Sequence, residues 1–254
     1  MQPLPRHIRM RSAAGFSLVE LMVAIAISLL LLAGVVAIFA SSRVSYESND
    51  QLSRVQETGR FALEAISRQV RSAGFGGCSR QPNYVSTALN STGTLQWNFL
   101  EGPVRGYNAS GSAWVPTLDA SITGAAAGSD VLVLRGPRPE AQPAIVTTNM
   151  ASPTDPLVVS GGSIVANDVV MAYSCEGQAF FQVTAVGGSL LHAATGASPG
   201  NANASTSYQF KRNAEVVLVA TTVYFVGPSV GATAPNNTRP IGTHSLYRQV
   251  GSRA

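Results

Sequence analysis

Few side chains in this chain are placed to do chemistry. Of its three histidines, His7 lies near the N-terminus, and His192 and His244 sit in or beside turn-rich segments. No Gly-x-Ser-x-Gly, His-Glu-x-x-His or paired-cysteine pattern occurs, so neither a nucleophile elbow nor a zinc site has a basis in the sequence. Asp130 and Asp168 each precede an apolar run, a position commoner for a turn residue than for a catalytic acid. These observations predict no enzymatic activity, no metal and no cofactor. One carboxylate stands apart. Glu20 opens an apolar stretch, and an ionisable group inside a membrane helix costs about 2.5–3.5 kcal/mol at the helix centre, so it implies a partner and a function.

The element that positions Glu20 is the run Leu21 to Ala40, LMVAIAISLLLLAGVVAIFA, in which Ser28 is the only polar side chain. It is long enough to cross a bilayer as a helix. Arg6, Arg9 and Arg11 precede it, and the positive-inside bias places the N-terminus in the cytoplasm and everything after about Arg43 outside. Those three arginines also supply most of the formal charge of +4. Without them no strongly basic face remains, and no nucleic-acid partner is expected. The small residues Ala13, Ala14 and Gly15 come before the apolar run rather than after it, so any cleavage must precede the hydrophobic segment.

From Ser41 to Ala73 there is no proline, and Leu52, Val55, Ala62, Ile66, Val70 and Ala73 recur at helical spacing opposite Arg54, Glu57, Arg60, Glu64, Arg68 and Arg71. One helix over residues 16–73 would be on the order of 85 Å long. Its second half needs a packing partner. The run Gly74-Phe75-Gly76-Gly77 supplies a C-terminal stop and fails as a phosphate loop, since no strand precedes it. Beyond Cys78 short β-type runs alternate with Gly, Ser, Asn and Pro, predicting strands at 130–135, 144–148, 157–160, 168–173, 178–186, 207–211, 215–225 and 245–249. Residues 106–129, 195–206 and 227–243 read as long surface loops. The fold class is α+β: a long N-terminal helix, transmembrane then amphipathic, packed on an antiparallel β-sheet body. Cys78 and Cys175 lie in the part expected outside the cytoplasm, where they can form a disulfide; two buried free thiols are the alternative.

The string Gly15-Phe16-Ser17-Leu18-Val19-Glu20-Leu21 and the apolar run behind it resemble the class III signal of type IV prepilins. The resemblance implies that a prepilin peptidase cuts after Gly15 and methylates the new terminus at Phe16, and that Glu20 pairs with the amine of a neighbouring subunit during assembly. It divides the chain into a leader, 1–15, an assembly helix, 16–40, a periplasmic helix and cap, 41–77, and a β-rich body, 78–254. Looser matches over QLSRVQETGRFALEAISRQVRSAGFGGC, GSDVLVLRG, DVVMAYSCEGQAFFQVTAV and SLYRQV are similar to the minor pilin family PilW. They imply a low-abundance subunit that primes type IV pilus assembly or sits near the tip, with other minor pilins and pilus subunits as partners. Such a subunit stands in the inner membrane before assembly and in the pilus after it. Two departures matter: Ala37 stands where many major pilins have a kinking proline, and members of that family usually continue beyond the equivalent of Ala254, so a truncated C-terminal end is an open expectation. A minor pseudopilin of a type II secretion system is the alternative, and a membrane-anchored adhesin using the Trp97 and Trp114 region is a further one.

Overall fold

The computed structural model describes residues 15, 17–77, 84–90, 94–196, 198–229 and 244–251. Two compact units divide the chain, one ending at Glu64 and the other beginning at Ala65.

A single helix, α1 (Leu18–Ser72), begins in the first unit and ends in the second. Its N-terminal stretch is apolar all round, and further along Arg43–Glu47 and Asp50–Arg54 form i,i+4 ion pairs at 3.2 and 2.9 Å. These are exposed and contribute a few tenths of a kcal/mol each, about 0.3–0.5. No residue of α1 is fully buried, and Leu52 and Val55, expected on its packed face, are exposed.

In the second unit, α1 stops at Gly74, which takes the left-handed conformation at φ 70° that glycine adopts without penalty. The strands among the described residues are β1 (Tyr84–Thr87), β2 (Val104–Ser110), β3 (Ala113–Val115), β4 (Val131–Pro137), β5 (Ala144–Val146), β6 (Leu157–Ser160), β7 (Val169–Tyr173), β8 (Gly177–Gln182), β9 (Ala185–Val186), β10 (Ser189–Leu191), β11 (Glu215–Pro228) and β12 (His244–Gly251). One path runs β1-β8-β7-β11-β5-β6-β10-β9, and β11 also carries β4 and β12, with β2 and β3 beyond β4. All pairings are antiparallel except β1 with β8, where Tyr84 to Thr87 run alongside Gly177 to Phe180. The predicted α+β class holds.

Alternation along β11 explains the core. Val217, Val219, Val223 and Phe225 face one side, where they join Trp97, Phe99 and Met171 in one cluster and Tyr107, Val131 and Val133 in another. On the other side Val216 packs with Val170, Ala172, Phe181 and Phe210. Because β7 is buried on both faces, its sequence reads as an unbroken apolar run rather than an alternating one. The equally buried β8 instead carries Gln178 and Gln182, whose side-chain amides donate to Met171 Sδ and the Asn167 carbonyl.

The end of α1 is tied to this framework by polar contacts. The Gln69 amide donates to Thr222 Oγ1 at 2.7 Å and its carbonyl oxygen accepts from Tyr224 Oη at 2.5 Å. The Gly74 N–H donates to the Arg135 carbonyl at 3.0 Å. Gly136 allows the close approach: a Cβ there would lie 3.0 Å from the Ser72 carbonyl oxygen. The Arg135 side chain, buried beneath this joint, donates to the Leu95 carbonyl at 3.2 Å, to the Gly102 carbonyl at 3.1 Å and to Glu101 Oε2 at 2.9 Å. Burial pulls its pKa down from the usual arginine value, and nearby Arg105 adds to this.

Four expectations require correction. Residues 207–211 form no strand: Ser207 has a positive φ of 59°, and Phe210 enters the core from irregular chain whose carbonyl accepts from Met150 N–H. The segment 106–129 is not loop throughout, because β2 and β3 form a hairpin in which Ser110 pairs with Ala113 across a two-residue turn led by Gly111. The described residues of 195–206 are irregular, yet Asn201 is buried and its side-chain amide donates to the carbonyls of Gln182 and Ala193. The strand expected at 178–186 breaks after Gln182, and of the loop expected at 227–243, residues 230–243 lie outside the described residues.

Truncating this buried arginine strands the Leu95 and Gly102 carbonyls it serves, while Glu101 keeps its ion pair with Arg105, so Arg135→Ala is expected to cost about 1–3 kcal/mol. Gln69→Leu, which leaves Thr222 and Tyr224 without their amide partner, is expected to cost about 1–3 kcal/mol. Urea titration of the detergent-solubilised protein measures both, and wild-type midpoints would contradict the assigned roles.

Candidate functional site

Ser17 stands just before the first turn of α1, and its carbonyl accepts from the Leu21 N–H at 3.1 Å. Glu20 is the only acidic residue in that turn. Unpaired N–H groups and the aligned peptide dipoles make this end of a helix favourable for a negative charge. Behind Glu20 the side chains Leu21, Met22, Val23, Ile25 and Ile27 are all exposed. An 18-residue window within α1 has a mean hydropathy of 2.9, with none of it buried, which makes this helix long and apolar enough to cross a membrane. An uncovered apolar cylinder of this length is stable in lipid or against other apolar helices, and costs free energy in water. A Cβ added at Gly15, just upstream, would meet nothing within 4 Å, so the backbone there is sterically open. Phe16 lies outside the described residues.

The second predicted pair is seen only in part. Cys175 sits in the β7–β8 connection and is not a free thiol. Cys78 lies outside the described residues.

The residues weighed as catalytic candidates have structural surroundings. His192 is buried against the Phe181 ring, with its Nε2 2.9 Å from the Asp155 carbonyl oxygen. His244 opens β12 at the surface, and His7 lies outside the described residues. Asp130 accepts from the Ala109 N–H, and Asp168 accepts from the Val165 N–H and closes a turn. Trp97 is buried in the core, and Trp114 is partly covered with its Nε1 donating to the Ser129 carbonyl at 2.9 Å. Asn203 accepts from the Ser205 N–H, so that sequon forms a turn. Among the described residues no group of three or more His, Cys, Asp or Glu is placed to hold a metal.

Sequence reasoning missed a tyrosine–glutamate pair that perturbs the tyrosine. Tyr173, at the end of β7, donates its hydroxyl to Glu215, the first residue of β11. Burial first, then the hydrogen bond and charge of Glu215, push its pKa well above the ordinary tyrosine value. A pairing register that sets Tyr173 opposite Glu215 creates this contact, and no local motif signals it.

Residues 10–36 match the family model described as the prokaryotic N-terminal methylation motif. No curated protein and no solved structure matches the chain significantly.

The raised Tyr173 pKa has a definite sign. The folded state holds the phenolic proton more tightly than the unfolded state, so the stabilisation is complete below about pH 10 and is lost as pH rises toward the folded-state value. In a tyrosinate absorbance titration, the last component to ionise is expected to vanish in Tyr173→Phe; its persistence would assign it to another tyrosine.

The matched segment, with its cleavable-type signal on a membrane-capable helix, supports a type IV pilin-like protein that is processed by a prepilin peptidase and associated with the membrane.

Proposed function

We propose that this chain is a minor pilin of the PilW type, a structural subunit that primes type IV pilus assembly or stands near the tip and has no enzymatic activity of its own. The observation that carries the reading is the methylation motif at residues 10–36 on an apolar helix whose C-terminal end joins a β-sheet unit. The GFGGC junction and the later PilW-like segments favour a pilus subunit over a secretion pseudopilin.

In this reading the chain is anchored in the inner membrane with its body in the periplasm, and the peptidase cuts between Gly15 and Phe16 and methylates Phe16. Glu20, costly in lipid while charged and unpaired, is neutralised by the methylated amine of Phe16 on an adjacent subunit. The pairing forms only between correctly staggered helices, so it sets the register of addition as well as offsetting two desolvation costs. Cys175 pairs with Cys78, which closes a loop of about 100 residues and contributes up to roughly 4.7 kcal/mol in the chain-entropy model.

Intact-mass measurement of membrane-extracted protein is expected to show a methylated chain beginning at Phe16, whereas Gly15→Leu is expected to leave the leader attached. An uncut wild-type chain in a strain with active prepilin peptidase would refute the processing step.

Glu20→Gln is expected to insert and fold normally yet be recruited poorly, with sheared pili containing about tenfold less of it than wild type when normalised to membrane levels, a loss of about 1.4 kcal/mol. Equal incorporation would show that apolar helix packing alone directs entry. Intact piliation together with failed protein secretion in a deletion strain would replace the pilus assignment by the pseudopilin one.

A further inference from the structure

The connection from β7 to β8 and the residues leading into β11 enclose a cleft of about 570 Å³. That is within the range of about 300–1,000 Å³ typical of small-ligand sites. The cleft lies in the second unit and shares no residue with the N-terminal signal.

Its aromatic surfaces are held in fixed planes. Phe75 is half-exposed at the cleft and meets the Tyr173 ring edge to face, with centroids 5.7 Å apart at 82°. Tyr208 lies flat against Gly177, where an added Cβ would come 2.5 Å from a ring carbon. Contacts with Tyr84 at 5.5 Å and Phe210 at 5.0 Å fix its orientation. Any side chain at position 177 would displace this ring.

The charged groups are held in an unusual way. Tyr208 Oη donates to Glu176 at 2.9 Å, and Tyr173 Oη donates to Glu215. Lys211 and Arg212 line the same cleft, yet neither forms an ion pair with these carboxylates among the described residues. Each glutamate is therefore oriented by a neutral phenol and keeps lone pairs to accept further bonds, while the two cations keep their N–H groups to donate. Among the described residues, two negative and two positive groups leave the lining without net charge.

An anionic ligand would meet two carboxylates, and a cationic one would meet Lys211 and Arg212. A ligand gains most here if it is neutral, offers several hydroxyls that both donate and accept, and has a C–H face to lay on an aromatic ring. We propose that this cleft is a binding site for a neutral saccharide unit, with Phe75 and Tyr208 as the flat apolar surfaces and Glu176, Glu215, Lys211 and Arg212 as its hydroxyl partners. The site is independent of which fibre the subunit enters.

Saturation-transfer NMR on the detergent-solubilised full-length protein, with lactose, maltose and N,N′-diacetylchitobiose as millimolar probes, tests the proposal. At least one of them is expected to bind. Its affinity is expected to fall about tenfold or more in Glu176→Ala and in Arg212→Ala, while Tyr208→Phe, which keeps the ring, is expected to lose less than either. Arg212 is the safer variant, because its side chain makes no hydrogen bond among the described residues; only its backbone N–H is used, by Asn149. Thermal melting by circular dichroism checks that each variant is folded. Absence of binding by all three sugars, binding unchanged in folded Arg212→Ala, or preference for sialic acid or choline over the neutral sugars would overturn the assignment.

Discussion

The second unit depends on β11 pairing along its length with four different strands. Its first residues lie between β7 and β5, and its later ones between β4 and β12. A strand in that position must satisfy both neighbours' hydrogen bonds and both faces' packing at once, and side-chain alternation with a period of two makes this possible. A slip of one residue would turn Val217, Val219, Val223 and Phe225 out of their clusters and bring Thr222 and Tyr224 into them. The register therefore also fixes the polar joint with Gln69.

Much of this plan is legible in the sequence because the signals are local. The uninterrupted apolar run and the absence of proline before Gly74 specify α1, and the glycine at its end needs only a left-handed backbone to stop it. β6 coincides with its predicted limits, and β4, β7 and β11 lie close to theirs. The N-terminal signal is likewise legible, since it consists of residue types at short, fixed spacings.

What the sequence does not reveal depends on distant partners. β2 reads as loop because only Tyr107 along it is buried, so it lacks the apolar alternation of a half-buried strand. The segment 207–211 reads as strand because Tyr208 and Phe210 alternate with polar residues, but these rings anchor an irregular chain to the core without a ladder of their own. Arg135 looks like an exposed strand charge until the carbonyls of Leu95 and Gly102 are brought round it from 40 and 33 residues away. Glu176 and Glu215 are similarly inconspicuous until the pairing of β7 with β11 sets Tyr173 beside Glu215 and the irregular chain before β11 lays Tyr208 beside Glu176.

The joint at Gln69 also has a mechanical meaning. Its two hydrogen bonds attach the last turns of α1 to Thr222 and Tyr224, in the stretch of β11 that is flanked by β4 on one side and β12 on the other. A tensile load passing through these turns is handed directly to the central strand and from there to two antiparallel ladders. When such a load runs along the strand, the ladder bonds are sheared together rather than opened one after another, so the force is divided among many amide contacts. Attachment to an edge strand would instead concentrate the same pull on a single ladder, making the choice of β11 a matter of strength under tension as well as of stability at rest.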